Sequence, residues 1–125
     1  MITVNEAIRH HNTLIAKFGG SSGIRDIAGL EAALARPFAT FDQQELYSTG
    51  IEKASAILMS LIINHPFVDG NKRIAYLLMQ VILIDYNLVV EVAEDDQYAF
   101  VISASTGEIL FEEIKAWLEA NAVNI

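Results

Sequence analysis

Residues 51–86 read IEKASAILMSLIINHPFVDGNKRIAYLLMQVILIDY, and the two apolar runs in this stretch decide the fold. In the first, Ala54, Ile57, Leu58, Leu61 and Ile62 recur at helical spacing from about Ile51 to Asn64, and Pro66 forbids regular continuation. The second begins near Asn71, runs to Tyr86, and is apolar at 11 of the 13 positions from Ile74 onward. A helix apolar on every side is buried on every side, so this fourth helix of the chain is expected to be the one the others surround. Neither run reads as a membrane span: each falls well short of the ~20 residues a bilayer requires, and Gln80 interrupts the second.

Toward the N-terminus, Thr3 followed by Glu6 has capping-box spacing, and Val4, Ile8, Leu14, Ile15 and Phe18 predict a first helix over about 4–18, ended by Gly19 and Gly20. GGSSGIRD, residues 19–26, is turn chemistry. Asp26 is placed to cap a short second helix carrying Leu30, Ala33 and Leu34 as far as Pro37. From Phe38 to Gly50 no period is sustained, which predicts an exposed loop or small hairpin, a flap. Past Asn87, LVVEV is a candidate short extended piece, and helices are expected over about 94–105 and 108–121, parted by Thr106 and Gly107. There is no internal repeat, low-complexity tract or linker. The fold class expected is all-α: one domain over 1–125, a compact bundle of about six helices around a buried central helix, with a small flap.

Composition narrows the functions available. A chain of 125 residues that is 53% hydrophobic is long enough to bury roughly 70% of its unfolded surface without a staple. The absence of cysteine removes disulfides, Cys-ligated metals and a thiol nucleophile. Sixteen acids against eight bases, with no basic stripe, argue against nucleic-acid binding. Residues 1–84 hold seven acids and seven bases, whereas residues 85–125 hold nine acids and only Lys115, a run that reads as a solvated acidic face. The N-terminal MITVNEAIRHHN has polar residues where a signal peptide needs apolar ones, so a cytoplasmic location is expected.

Chemistry is concentrated in His65-Pro66-Phe67-Val68-Asp69-Gly70-Asn71-Lys72-Arg73, between the two apolar helices. Taken singly, a histidine at a helix end is a C-terminal cap, an aspartate an N-cap, and a Lys-Arg pair solvated surface. Together they combine a base, an acid and an anion clamp. A helix starting near Gly70 and Asn71 leaves backbone N–H groups unpaired and attracts anions. Lys72 and Arg73 have the wrong sign for the first turn of a free helix, so an anionic ligand would account for their position. His65 suits a general base at neutral pH, and Asp69 offers a hard oxygen to Mg²⁺. Phe67 reads as a core anchor for the loop. The spacing is not that of a P-loop or of a kinase glycine-rich loop. His10 and His11, adjacent on a helix, point about 100° apart, are poor joint metal ligands, and read as structural.

HPFVDGNKR resembles the central motif of the Fic/Doc family, HxFx[DE]GNGRxxR in the Fic branch, with NKR in place of NGR in the Doc branch. GGSSGIRDIAGLEAALARPFATF, residues 19–41, is similar to the segment preceding the motif in Doc-like proteins. The resemblance implies an all-α Fic fold and transfer of a phosphate-containing group from a nucleotide to a protein hydroxyl. It casts His65 as base, Phe67 as anchor, Asp69 as the Mg²⁺-associated acid, and Gly70, Asn71 and Arg73 as the phosphate-binding turn. Lys72 replaces the Fic branch's second glycine, crowding the site where AMP-transferring members hold the α- and β-phosphates, and Tyr76 replaces its last arginine, removing a phosphate contact. Doc proteins with this substitution are kinases that bind ATP reversed and deliver the γ-phosphate to a threonine of elongation factor Tu, arresting translation. ATP and Mg²⁺ are therefore the expected ligands. Adenylyl transfer, or an idle binding module, are the alternatives. The self-inhibitory [ST]xxxE[GN] pattern is absent, its nearest approach, Ser48 with Glu52, being followed by Lys53. Restraint is expected from an antitoxin protein covering the active-site groove.

Overall fold

The computed structural model describes all residues, 1–125. Six helices form the bundle: α1 Val4–Phe18, α2 Ile27–Ala35, α3 Gly50–Asn64, α4 Asn71–Asp85, α5 Glu94–Ser105 and α6 Phe111–Asn121. A 3₁₀ turn over Arg36–Phe38 follows α2. The sequence dictates most of these limits through local chemistry. Thr3 and Glu6 form the reciprocal capping box of α1, the Asp26 carboxylate accepts from Gly29 N at the start of α2, and the Thr49 hydroxyl accepts from Glu52 N at the start of α3. Ser48 and Thr49 both donate to Glu52 Oε1, so this glutamate belongs to a helix cap.

The core holds 24 buried apolar residues, centred on α3 and α4. One expectation needs correction: α3, not α4, is the hub. It packs on α2, the 3₁₀ turn, α4, α5 and α6, and is buried from Lys53 to Leu58 and again at Leu61 and Ile62. α4 keeps an outer edge, with Lys72, Arg73, Ile84 and Asp85 exposed and Leu77, Gln80 and Val81 half-buried. Apolar composition states that a helix avoids water but not how many neighbours it has. The bases of α3 and α4 meet closely: a Cβ built on Gly50 would lie 2.5 Å from Cγ of Tyr86.

The flap is a hairpin of two-residue strands, β1 Thr40–Phe41 and β2 Gln44–Glu45, turned by Asp42 and Gln43 at φ 51° and 65°. Lys53, though charged, is only 2% exposed, and its Nζ donates to Glu45 Oε1 at 2.9 Å and to the Tyr47 carbonyl. The LVVEV piece supplies β3, Leu88–Val90, which pairs antiparallel with β4, Ala122–Asn124, a strand not expected from the sequence. Gln80 explains its own place in an apolar helix: its amide donates to Val90 O and accepts from Val90 N, both at 3.0 Å, fastening β3 to α4. The last helix starts at Phe111 rather than 108, because Gly107 at φ 79° carries the chain through an irregular turn first. α5 and α6 are locked by Phe100 stacked on Trp117, centroids 3.7 Å apart. No helix is long and apolar enough to cross a membrane.

Candidate active site

α3 stops at Asn64, and His65 is its C-cap with φ 45° and ψ 55°, a left-handed conformation that costs a non-glycine residue roughly 1–2 kcal/mol. The bend brings the chain straight into the loop and leaves the imidazole exposed. Arg25 holds the bend from outside: its Nε donates to His65 O at 2.7 Å and its Nη2 to Asn64 O at 2.6 Å, using carbonyls that a helix end leaves without partners. Asn64 Nδ2 donates to Gly29 O, tying the same end to α2.

Phe67 is 1% exposed and stacks face to face on the buried His11 ring of α1, 3.9 Å between centroids. His11 Nε2 donates to the Asp69 carbonyl at 2.7 Å. Asn71, at the start of α4, closes the loop on itself: its Oδ1 accepts from Phe67 N and its Nδ2 donates to Phe67 O. The same Nδ2 lies 3.5 Å from His65 Nδ1. Asn71, expected as a phosphate contact, therefore has its side chain committed to shaping the loop, and only its backbone N–H faces the helix start. A side chain 7% exposed and doubly bonded to backbone is not free for a ligand.

Asp69 is exposed, and its carboxylate bridges two turns. Oδ2 accepts from Ser21 N at 3.1 Å and Oδ1 from Gly70 N at 2.8 Å. The Ser21 N–H foremost, then the Gly70 N–H, with the charges of Arg73 and His11 adding, hold its carboxyl below the ordinary aspartate value. Gly20 makes room for this: at φ 107°, a Cβ there would stand 2.6 Å from Asp69 Oδ2. Gly70 is left-handed at φ 73°, so its backbone freedom sets the entry to α4. No side chain caps α4, and its first N–H groups point outward with the positive end of the helix dipole behind them. Lys72 and Arg73 project from the same turn, both exposed, and the Arg73 guanidinium lies 4.7 Å over the Phe18 ring.

His65, Asp69, Lys72 and Arg73 are thus exposed and Gly70 half-buried along one loop and the first turn of α4, while Phe67 and Asn71 are buried. Tyr76 lies outside the group, buried in the core, and burial pushes its hydroxyl above the usual phenol range. No three His, Asp or Glu side chains converge on a common point, and Asp69 is the one carboxylate within residues 65–73. Each Asp69 oxygen accepts one N–H and retains a lone pair, which suits a cation sharing a carboxylate with phosphate oxygens.

Sequence reasoning missed four contributors: His11, Gly20, Ser21 and Arg25. His11 carried a signal, since 4, 8, 11, 15 and 18 form one helical stripe and a histidine on an apolar stripe is buried with a partner. The turn 19–26 carried none, because its bonds to the loop run from Ser21 N to Asp69, from Arg25 N and Asp26 N to Pro66 O, and from Val68 N to Gly23 O.

The sequence model of the Fic/DOC family matches residues 1–83. A curated relative, the Toxin Doc of Mycolicibacterium smegmatis (strain ATCC 700084 / mc(2)155), is 49% identical over 59 residues, which is 47% of this chain and 45% of that protein. The similarity thus spans less than half the length of the relative.

Proposed function

The chain belongs to the Fic/DOC family, and on that premise we propose that it is a Doc-type toxin kinase, moving the γ-phosphate of ATP to a hydroxyl of a translation protein. An elongation factor Tu-like threonine is the target class. The observation that carries this reading is the uncapped start of α4 with Lys72 in its first turn, beside an exposed imidazole and a carboxylate held ionised.

In this reading the triphosphate tail seats on the N–H groups of α4 with Lys72 and Arg73 around it. Asp69 would hold Mg²⁺, which when bound offsets charge on the phosphate oxygens. His65 takes the proton as the target oxygen bonds to the γ-phosphorus, the bond to the β–γ bridging oxygen breaks, and ADP leaves with that electron pair. Positioning and electrostatics supply most of the rate, and the base contributes about 10²–10⁴-fold. Lys72 favours this over AMP transfer, because a side chain there fills space that a glycine leaves to the α- and β-phosphates.

Restraint would come from an antitoxin partner. Exposed Phe18 and Val68 beside the loop offer apolar contacts, as does the groove of about 440 Å³ lined by Tyr47, Met59 and Ile63 between flap and α3. The reaction would take place in the cytoplasm, where ATP and the translation machinery are.

The test is label transfer in a bacterial lysate. γ-Labelled ATP should mark one protein, and His65→Ala should lower that transfer at least about 100-fold while leaving the unfolding midpoint in place. Label arriving from α-labelled ATP instead would establish AMP transfer.

A further inference from the structure

We infer that Arg25 is a positioning residue for His65, holding the histidine by its own backbone in a conformation the chain would otherwise leave. The inference rests on the reading of His65 as the base, and three observations carry it. His65 stands at φ 45°, where glycine or asparagine is the usual occupant, so something must keep a histidine there. The Arg25 fork reaches the two carbonyls on either side of the bend, His65 O at 2.7 Å and Asn64 O at 2.6 Å. And Arg25 is itself fixed, because its N–H and that of Asp26 both donate to Pro66 O, at 2.8 and 3.0 Å, while Ile24 bridges to Phe67.

The choice of residue follows from the chemistry. Arg25 forms no ion pair, since the two salt bridges of the chain are Lys53–Glu45 and Lys115–Glu52. Its donors go to carbonyls, and a planar guanidinium spans two carbonyls at once where an ammonium offers a point charge. Asp26, next in sequence, is occupied in capping α2 and does not compete. Without Arg25 the bend at 64–65 loses both outer bonds, and with them the backbone geometry that sets where the imidazole stands. The anion seat does not depend on Arg25, because Lys72, Arg73 and the α4 N–H groups lie on the next element.

Two measurements on Arg25→Ala and Arg25→Lys test this. In γ-phosphate transfer, Arg25→Ala should lower kcat about 10- to 100-fold with the KM for ATP within about twofold, and Arg25→Lys should regain part of the loss. In hydrogen exchange, the amides of Phe67 and Val68 should exchange faster in Arg25→Ala than in the parent. An unchanged kcat, or a KM for ATP that rises in step with the fall in kcat, would overturn the inference. If the parent chain transfers no label, the proposed function fails, and exchange alone then decides whether Arg25 holds the loop: unchanged rates at Phe67 and Val68 refute it.

Discussion

Two loops of this molecule are each fastened by one basic side chain, and they are fastened in opposite ways. The 65–70 loop is held from outside by exposed Arg25, which joins two carbonyls of the chain itself. The flap at 40–47 is held from inside by Lys53, buried at 2% and bonded to Glu45 and Tyr47. The first loop also has a second layer beneath it, the His11–Phe67 stack and the Asn71 clamp, whereas the flap strands are exposed at every position. The loop that carries the exposed His65 and Asp69 is thus held from both sides. The flap, its strands exposed, is tied from beneath by Lys53 and by Tyr47, whose ring lies 5.3 Å from that of Phe111.

This contrast can be broken by separate cuts. The largest effect on stability is expected for Lys53→Met, which fills the same space but leaves the Tyr47 carbonyl without its donor. Unfolding free energy should fall by about 1–3 kcal/mol in denaturant titration, and limited proteolysis should cleave within 40–47 while amide exchange in 65–70 stays as it was. Cleavage in both loops would mean that they are not independently held. A smaller loss, about 0.5–1.5 kcal/mol, is expected for His11→Phe, which retains a ring on Phe67 and removes only the N–H donated to Asp69 O. The smallest effect is on pH dependence. Because the Asp69 carboxyl titrates below its ordinary value in the folded state, its contribution is complete above the unfolded value near ~3.9 and is lost as pH falls through the lower folded value. Thermal unfolding from about pH 6 down to about pH 3 should therefore show a shallower decline in Asp69→Asn than in the parent. Equal slopes would show that the Ser21 and Gly70 bonds do not select the ionised form.

Where structure follows from neighbours in sequence, it was legible. Thr3 with Glu6, Asp26, and Pro66 set three helix limits through bonds or steric clashes spanning four residues or fewer. The cluster from His65 to Arg73 was legible as a candidate site because one loop and one helix turn carry all of it. What needed distant partners was not. β4 becomes a strand only because Leu88–Val90 lies beside it, and Arg25 gains its role from carbonyls about forty residues on. The hub position of α3 was misjudged because Lys53 sits four residues before Ile57 on the buried face, a charge whose partner lies in the flap. Asn71 was read as a ligand contact because an amide at a helix start serves a phosphate or the backbone equally well. In this structure its side chain bonds the Phe67 peptide.

The close meeting of Gly50 and Tyr86 has a consequence at the opposite end of the bundle. α3 and α4 form an antiparallel pair of 15 residues each, about 22 Å long, with this bare contact at the foot and the 65–70 loop at the head. A methyl group at Gly50 would meet Tyr86 at the foot, and a rigid pair would pass any resulting spread or twist to the gap between the His65 imidazole and the start of α4. A position a full helix length away would then bear on the geometry of the 65–73 stretch.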